Sequence, residues 1–468
     1  MPAEDIVQAL TGYTERVAAT QTLRDYYTGR HQLRFATHDF EAKYGDIVRS
    51  LRENLIPGVV AAYADKTHVE AWSADDEALD TAVLEGLDRL HARVTREKYL
   101  TGSAFVLVWP GPDGSPQPHF HRSHELIPTV DPMRQGRLLH VVKPIFDRQE
   151  RLPRANIYYP DRVERFVYET PRLGKGERPD WGRYMRPEAW VPYTIDGEPD
   201  VIRHSMGDVP VLWFKHDDDG PESWGRSVIA EAIPLQDALN TSIAQMVVLG
   251  EAYARPFWYL LNYKAAQDGS FLSDPAFARA LAAAQTQAAE TASVEQARFD
   301  PTQGSIFATD AAGPFGQLDP PDMTRLLQVQ DGIALKIARV TGIPPFYLSQ
   351  SPSDIPSGEA LRKLQVRIDT SVRTANKESA PVWRGLKLLL GMDDAPPVFA
   401  DPNPSTRAER IDEAKAMRDL GYSLEDCLRH VEQTKDVSEL LSRAEEAQAR
   451  STEALGRSLA AGRIPASY

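Results

Sequence analysis

The stretch Asp319–Leu361 reads DPPDMTRLLQVQDGIALKIARVTG, then IPPFYLSQSPSDIPS, then GEAL. Its first part predicts a helix opening at Asp319-Pro320, with proline at the first helical position, where a missing N–H is harmless. Leu326, Ile333, Ile337 and Val340 recur at helical spacing, and Gly342 suits the position just past the helix end, where a left-handed backbone closes the last turn. Residues 343–357 hold four prolines and four serines and cannot continue that helix. A further helix is expected from Ser357, which suits the N-cap, carrying Leu361, Leu364, Ile368, Val372 and Ala375. It runs on through Trp383, Leu386 and Leu390 with a bend at Pro381. At ~1.5 Å per residue, roughly 34 residues span about 50 Å.

Upstream lies a partner for the first of these helices. From Pro234, Leu235, Leu239, Ile243 and Met246 or Val247 share one face. Pro256 interrupts this segment. Residues 256–318 read as an insert: an aromatic strand Phe257–Leu261, an Ala-rich helix opened by Ser273-Asp274-Pro275, and a second strand near Ser305–Ala308. Two amphipathic helices thus flank a compact insert.

Further out, residues 102–216 predict a mostly β lobe. Ala104–Trp109 is a buried strand closed by Pro110-Gly111 and Asp113-Gly114. Strands follow at 138–146, 155–159, 163–169 and 211–215, with a loop-rich stretch at 171–200. Residues 1–100 read as helical over Val7–Tyr27, Leu51–Ala64 and Asp75–Leu100, with Ser73 an expected N-cap before Asp75, Asp76 and Glu77. Pro396-Pro397 and Pro402–Pro404 mark a boundary before short helices at 405–468. The fold class is α+β.

Composition narrows the function. The chain has 468 residues, 42% of them hydrophobic, which suits several lobes with real cores. No run of about 18 apolar residues predicts a membrane helix, and MPAEDIVQAL lacks the basic-then-apolar pattern of a secretory signal. One cysteine, Cys427, permits no intrachain disulfide and reads as a buried apolar residue. The net charge of −14 opposes a tight grip on phosphates; DNA, if a partner, is handled rather than held.

Chemistry-bearing clusters are few. His119 and His121 would share one face of an extended strand, with His124 nearby, but no third ligand has metal-site spacing. His216-Asp217-Asp218-Asp219-Gly220 lacks the downstream glutamate of a calcium loop and reads as an acidic turn. No phosphate-loop, nucleophile-elbow or H-E-x-x-H motif occurs. Ala416–Glu432 has a helix–Gly–helix form, but residues 405–457 carry twelve acidic and nine basic residues, so a structural hairpin is expected over a DNA reader. No cofactor, metal or enzyme activity is expected.

The order of parts resembles the portal protein family of tailed double-stranded DNA bacteriophages. The resemblance rests on Leu23–His31 (LRDYYTGRH), Asn54–Val60 (NLIPGVV) followed by Ala61–Lys66, Thr101–Phe105 (TGSAF), Gly225–Ile229 (GRSVI), Ile233–Asn240 (IPLQDALN), Ile343–Phe346 (IPPF) and Ser357–Leu361 (SGEAL). The insert at 256–318 carries no such motif, and its assignment follows from its place between two helices.

The resemblance implies a portal fold. Residues 1–225 are then a mixed wing domain, 226–255 and 319–342 the two stem helices, 256–318 a small α/β clip, 343–357 the tunnel loop, 358–399 a long wing helix and 400–468 a helical crown. It implies a homo-oligomeric ring, a 12-mer, at one capsid vertex of the virion, assembled in the host cytoplasm. Double-stranded DNA would pass through its channel during packaging and ejection. Partners would be the terminase large subunit, a head-tail adaptor, and the scaffold and major capsid proteins; no membrane is involved. The DNA-facing tunnel-loop residues would be Ser349, Gln350, Ser351, Ser353, Asp354 and Ser357, polar and without Lys or Arg. On the stem helices, Gln236, Asn240, Gln328 and Lys336 would line the channel. A metal-dependent hydrolase using the histidines, or a low-order capsid-associated adaptor, stays open as an alternative.

Overall fold

Glycine breaks the first expected helix. In the computed structural model α1 (Pro2–Leu10) and α2 (Tyr13–Tyr27) are separated at Gly12, whose φ of +77° is left-handed, so the periodic run Val7–Tyr27 is two helices. The residues described are 2–32, 38–73, 81–112, 114–134, 136–194, 197, 199–220, 223–254, 258–261, 306–309, 315–317, 323–348, 358–403, 407–432, 437–438 and 440–443. After α3 (His38–Leu51), α4 (Ile56–Ala64) begins five residues later than Leu51, with Pro57 in its first turn. Strand β1 (Val69–Ala71) precedes α5 (Thr81–Thr101). The Ser73 hydroxyl bonds the Asp393 carboxylate, and the turn it is expected to cap, Asp75, Asp76 and Glu77, lies outside the described residues.

Five strands of the β lobe stand close to their expected places, β2 (Ser103–Pro110), β5 (Leu138–Asp147), β6 (Leu152–Tyr158), β7 (Arg162–Tyr168) and β10 (Val211–Lys215), and four more are not among those expected, β3 (Pro116–Arg122), β4 (Ile127–Val130), β8 (Trp190–Pro192) and β9 (Val201–Arg203). They form two antiparallel sheets, β10-β2-β3 and β4-β5-β6-β7-β8, with β9 also on β7. Strand β2 is buried on both faces from Ser103 to Val108, which explains its unbroken apolar run.

Helix α6 (Ile233–Ala254) leads into β11 (Trp258–Leu261), β12 (Ile306–Thr309) and β13 (Phe315–Gln317). Strand β11 pairs parallel with β12 and antiparallel with β13, a small mixed sheet in the order β12-β11-β13. The Ala-rich helix expected after Ser273 lies outside the described residues, as does the helix opening at Asp319-Pro320. Helix α7 is described over Met323–Thr341 and α8 over Gly358–Leu389. Helix α8 carries Pro381 on its exposed side, and its 32 residues span about 48 Å. Strand β14 (Val398–Phe399) returns to pair with β1.

One core joins these helices. Tyr26, Val59, Val60, Tyr99, Leu239, Ile243, Ile333, Ile337, Ile368 and Val372 pack together from α2, α4, α5, α6, α7 and α8. Each fully buried aliphatic side chain contributes roughly 1.5–3 kcal/mol. Two residues expected on the inner stripes are instead exposed, Val340 at 43% and Leu364 at 46%. Val340 lies about 60° round α7 from Ile337, while Leu364 keeps to the Ile368 side of α8, one turn nearer the start of that helix.

Residues divide into two compact units, Met1–Ala400 and Asp401–Tyr468. In the second, α9 (Arg407–Asp419) and α10 (Leu424–Glu432) form a hairpin about Gly421 at φ +94°. Ala414, Cys427 and Val431 pack inside it. Ser423 caps α10: its Oγ accepts the Asp426 N–H at 3.1 Å and donates to the Asp426 carboxylate at 2.5 Å. The acids of α10 are engaged locally, Glu432 with Arg407 at 2.8 Å and Glu425 with Arg429 at 2.5 Å, as the hairpin reading expects. Among the described residues no helix is long and apolar enough to cross a membrane.

Candidate functional site

The two helices around the insert start from a clasp. The Val228 N–H donates to the Tyr99 carbonyl at 3.1 Å and the Ser227 hydroxyl to the Leu100 carbonyl at 2.6 Å. The Arg226 N–H donates to the His216 carbonyl at 2.7 Å, and the His216 N–H to that of Gly102 at 2.9 Å. The chain entering α6 is thereby tied to the end of α5 and the start of β2. Leu239 and Ile243 of α6 then pack with Ile333 and Ile337 of α7.

Gln236 and Asn240 do not face outward. They are 0% and 1% exposed. Gln236 Nε2 donates to the Glu53 carbonyl at 2.7 Å, and its Oε1 accepts the Leu55 N–H at 3.1 Å. Asn240 Nδ2 lies 3.0 Å from His31 Nε2. Burial, and then the nearby Arg52 guanidinium, hold His31 below the usual imidazole pKa, so the neutral ring can accept that bond. His31 stacks on Tyr26 with ring centroids 4.1 Å apart, and the Tyr26 hydroxyl donates to Asp237 at 2.7 Å. The expected channel-lining role of Gln236 and Asn240 is therefore corrected. Segments 26–31 and 53–55 cover this polar face of α6, which periodicity alone reads as solvent-facing.

Gln328 and Lys336 on α7 are exposed. With Ile337 as the inward direction and about 100° per residue, Gln328, Leu335 and Arg339 lie within about 20° of the far side. Leu327 sits on one shoulder about 80° round, and Val329 and Val340 on the other at about 60–80°. Lys336 belongs to that second shoulder. Leu327 and Val329 are each 49% exposed. The outer surface of α7 is a mainly polar strip between apolar shoulders.

The turn after α7 is fixed at its start. The Tyr63 hydroxyl donates to the Thr341 carbonyl at 2.7 Å, and Gly342 takes the expected left-handed conformation at φ +74°. Ile343 is buried, Pro345–Tyr347 make one 3-10 turn, and the rings of Phe346 and Tyr347 stack at 4.9 Å. Ser349, Gln350, Ser351, Ser353, Asp354 and Ser357 lie outside the described residues. The returning α8 is held by the Lys66–Asp369 ion pair at 2.9 Å, both side chains largely buried.

The other clusters resolve into local structure. His121 Nδ1 lies 2.8 Å from Glu125, and among the described residues no group of three or more His, Cys, Asp or Glu is placed to hold a metal. The acidic turn is closed by the Asp218 carboxylate, which accepts the Gly220 N–H at 3.1 Å and pairs with Lys215 at 3.2 Å. Sequence reasoning missed the buried bidentate pair of Arg24 with Glu97, whose carboxylate also accepts the Ser123 N–H at 3.2 Å. The motif Leu23–His31 held the signal, since it places Arg24, Tyr26 and His31 together.

No protein-family model matches the chain. It is 24% identical over 324 residues to the portal protein of Mycobacterium phage D29, covering 63% of this chain and 58% of that protein. It is 28% identical over 158 residues to the portal protein of Mycobacterium phage L5, covering 28% of this chain and 32% of that protein. The matched regions thus span between a third and somewhat over half of these curated relatives. Among solved structures, a chain from the neck of an empty gene transfer agent particle, computed with C6 symmetry, aligns with a TM-score of 0.44 at 15% identity, covering 84% of this chain and 93% of that one. One from the neck of a native particle, computed with C12 symmetry, aligns with a TM-score of 0.41 at 16% identity, covering 79% and 87%.

Proposed function

We propose that this chain, similar over part of its length to mycobacteriophage portal proteins, is the subunit of a ring at one capsid vertex, the channel for genome packaging and ejection. The observation that carries the reading is the outer surface of α7. A helix in a channel wall must touch a neighbouring copy on each side and present a wettable strip to the lumen. The apolar shoulders Leu327 and Val329 supply the first, and the strip through Gln328 and Arg339 the second. In this reading Gln328 faces the DNA and Lys336 lies toward a neighbouring subunit. A ring of twelve, a terminase large subunit and then a head-tail adaptor docking at residues 256–318, and scaffold and major capsid contacts elsewhere complete it. Residues 343–357 are the tunnel loop, 358–399 the long wing helix and 400–468 the crown. The net charge of −14 opposes a tight grip on phosphates by the subunit as a whole, although the strip itself carries Arg339.

The test is a photo-crosslinking residue placed at position 328, at 236 or at 366 in capsids filled with DNA. Adducts to DNA from 328, with none from 236, are expected. Adducts from 366, on the exposed side of α8, without any from 328 would overturn the reading. Deleting residues 346–355 should leave ring assembly intact and impair packaging or genome retention; normal packaging and retention would remove the tunnel loop from the account.

A further inference from the structure

A cavity of about 550 Å³ lies between the β2–β3 hairpin, the β5-β6-β7 sheet and α5, remote in sequence from the paired helices. Three cations from three elements line it: Arg93 of α5, Lys143 of β5 and Arg165 of β7. His119 and His121 of β3 join them, and Lys143 Nζ is 3.5 Å from His121 Nε2. No Asp or Glu is among the lining residues, although the chain carries 67 acids against 53 bases. The nearby carboxylate, Glu125, is engaged with His121 at 2.8 Å and with the Arg122 N–H at 3.3 Å.

The same cavity presents aromatic faces. Trp109, Phe120 and Tyr158 line it, with Trp109 and Tyr158 in an edge-to-face pair at 6.2 Å. The Arg93 guanidinium lies over the Phe120 ring, 4.6 Å from its centroid, which holds that cation at the rim. Burial lowers the pKa values of Lys143 and His119, against the pull of Glu125 on Lys143, and an anion between them would favour their charged forms. A volume in the range of small-molecule sites, convergent cations and flat apolar walls together describe a receptor for one kind of ligand.

The geometry points to a binding site for a phosphate-bearing aromatic small molecule of mononucleotide size, its phosphate met by Lys143 and Arg165 and its ring set against Trp109. The site is independent of the channel reading, since none of its residues lies on α6, α7 or the loop after them.

The test is calorimetric titration of the purified full-length protein with adenosine monophosphate, adenosine and inorganic phosphate. The expected result is saturable binding of adenosine monophosphate at one site per chain, with adenosine and inorganic phosphate each at least about tenfold weaker. Lys143→Gln with Arg165→Gln should weaken it by about tenfold or more, while Lys143→Arg keeps most of it. Trp109→Leu should lower affinity for the nucleotide and leave that for phosphate unchanged. No saturable binding by the unaltered protein overturns the site, whatever the variants do. Equal affinity for phosphate and the nucleotide overturns the aromatic half of the assignment. Undiminished binding by a folded double variant, with its melting temperature unchanged, overturns the placement.

Discussion

Gly102 and Gly225 meet backbone to backbone: a Cβ on Gly102 would fall 2.6 Å from the Gly225 carbonyl oxygen, and one on Gly225 2.5 Å from that of Gly102. Both glycines are left-handed, at φ +86° and +72°. The contact fastens the start of β2 to the segment that launches α6. Neither neighbour is a movable side chain, so alanine at either position meets backbone as well as an unfavourable φ. Gly102→Ala and Gly225→Ala should each cost about 2–4 kcal/mol, read as a lowered urea midpoint. The control Gly114→Ala, left-handed but open to space, should cost only about 1 kcal/mol.

Arg24 and Glu97 form a second internal joint, between α2 and α5, with Glu97 5% exposed. Arg24→Ala removes the guanidinium bonded to that buried carboxylate and leaves it only the more distant charge of Arg16, so about 2–4 kcal/mol of destabilisation is expected in chemical denaturation. The double substitution Arg24→Met with Glu97→Leu removes both charges and should cost less than the single one.

His91 makes the fold acid-sensitive. It is 6% exposed, its ring 5.4 Å from that of Trp383, and burial, reinforced by Lys98, pushes its pKa down to about 3. The unfolded chain takes up a proton near pH 6.5 and the folded one does not until about pH 3. Between those values the unfolded state binds more protons, so this contribution to stability is complete above about 6.5 and falls by at most ~1.4 kcal/mol per pH unit below it. Denaturation midpoints measured across that window should fall as pH falls, and His91→Phe should reduce the slope without abolishing it, since burial also holds His216 down to about 4.

The exposed shoulders of α7 test assembly separately from folding. Leu327→Lys and Val329→Lys remove apolar surface that is already half in water, so the isolated subunit should lose less than about 1 kcal/mol. Assembly should fail, because each substitution would bury a charge against a neighbouring subunit. Size-exclusion profiles and melting curves of the same preparations separate the two effects.

Periodicity and turn residues carried most of the local fold. The β2 apolar run, the exact span of β10, the left-handed Gly342 and the long α8 were all legible, because each depends on neighbours within a few residues. What was not legible is what covers a face from far away. Gln236 and Asn240 read as lumen-facing polar residues, yet Glu53, Leu55 and His31 cover them, contacts about 180 to 210 residues apart. Val340 and Leu364 read as core and are 43% and 46% exposed for the mirror reason, since no distant segment among the described residues buries them. Gly12 was invisible as a break because helical spacing persists across it. Gly102 and Gly225 lie 123 residues apart, and only the fold brings them into contact.

In the proposed function, copies of this chain close into a ring around a channel. The most direct measurement is the oligomeric mass of the purified full-length protein across a range of concentrations, with images of the same particles viewed down their axis. The account expects closed rings of about twelve subunits with a central hole, lost in Leu327→Lys and Val329→Lys. A protein that stays monomeric as concentration rises, or that closes into a dimer without an axial opening, would contradict it.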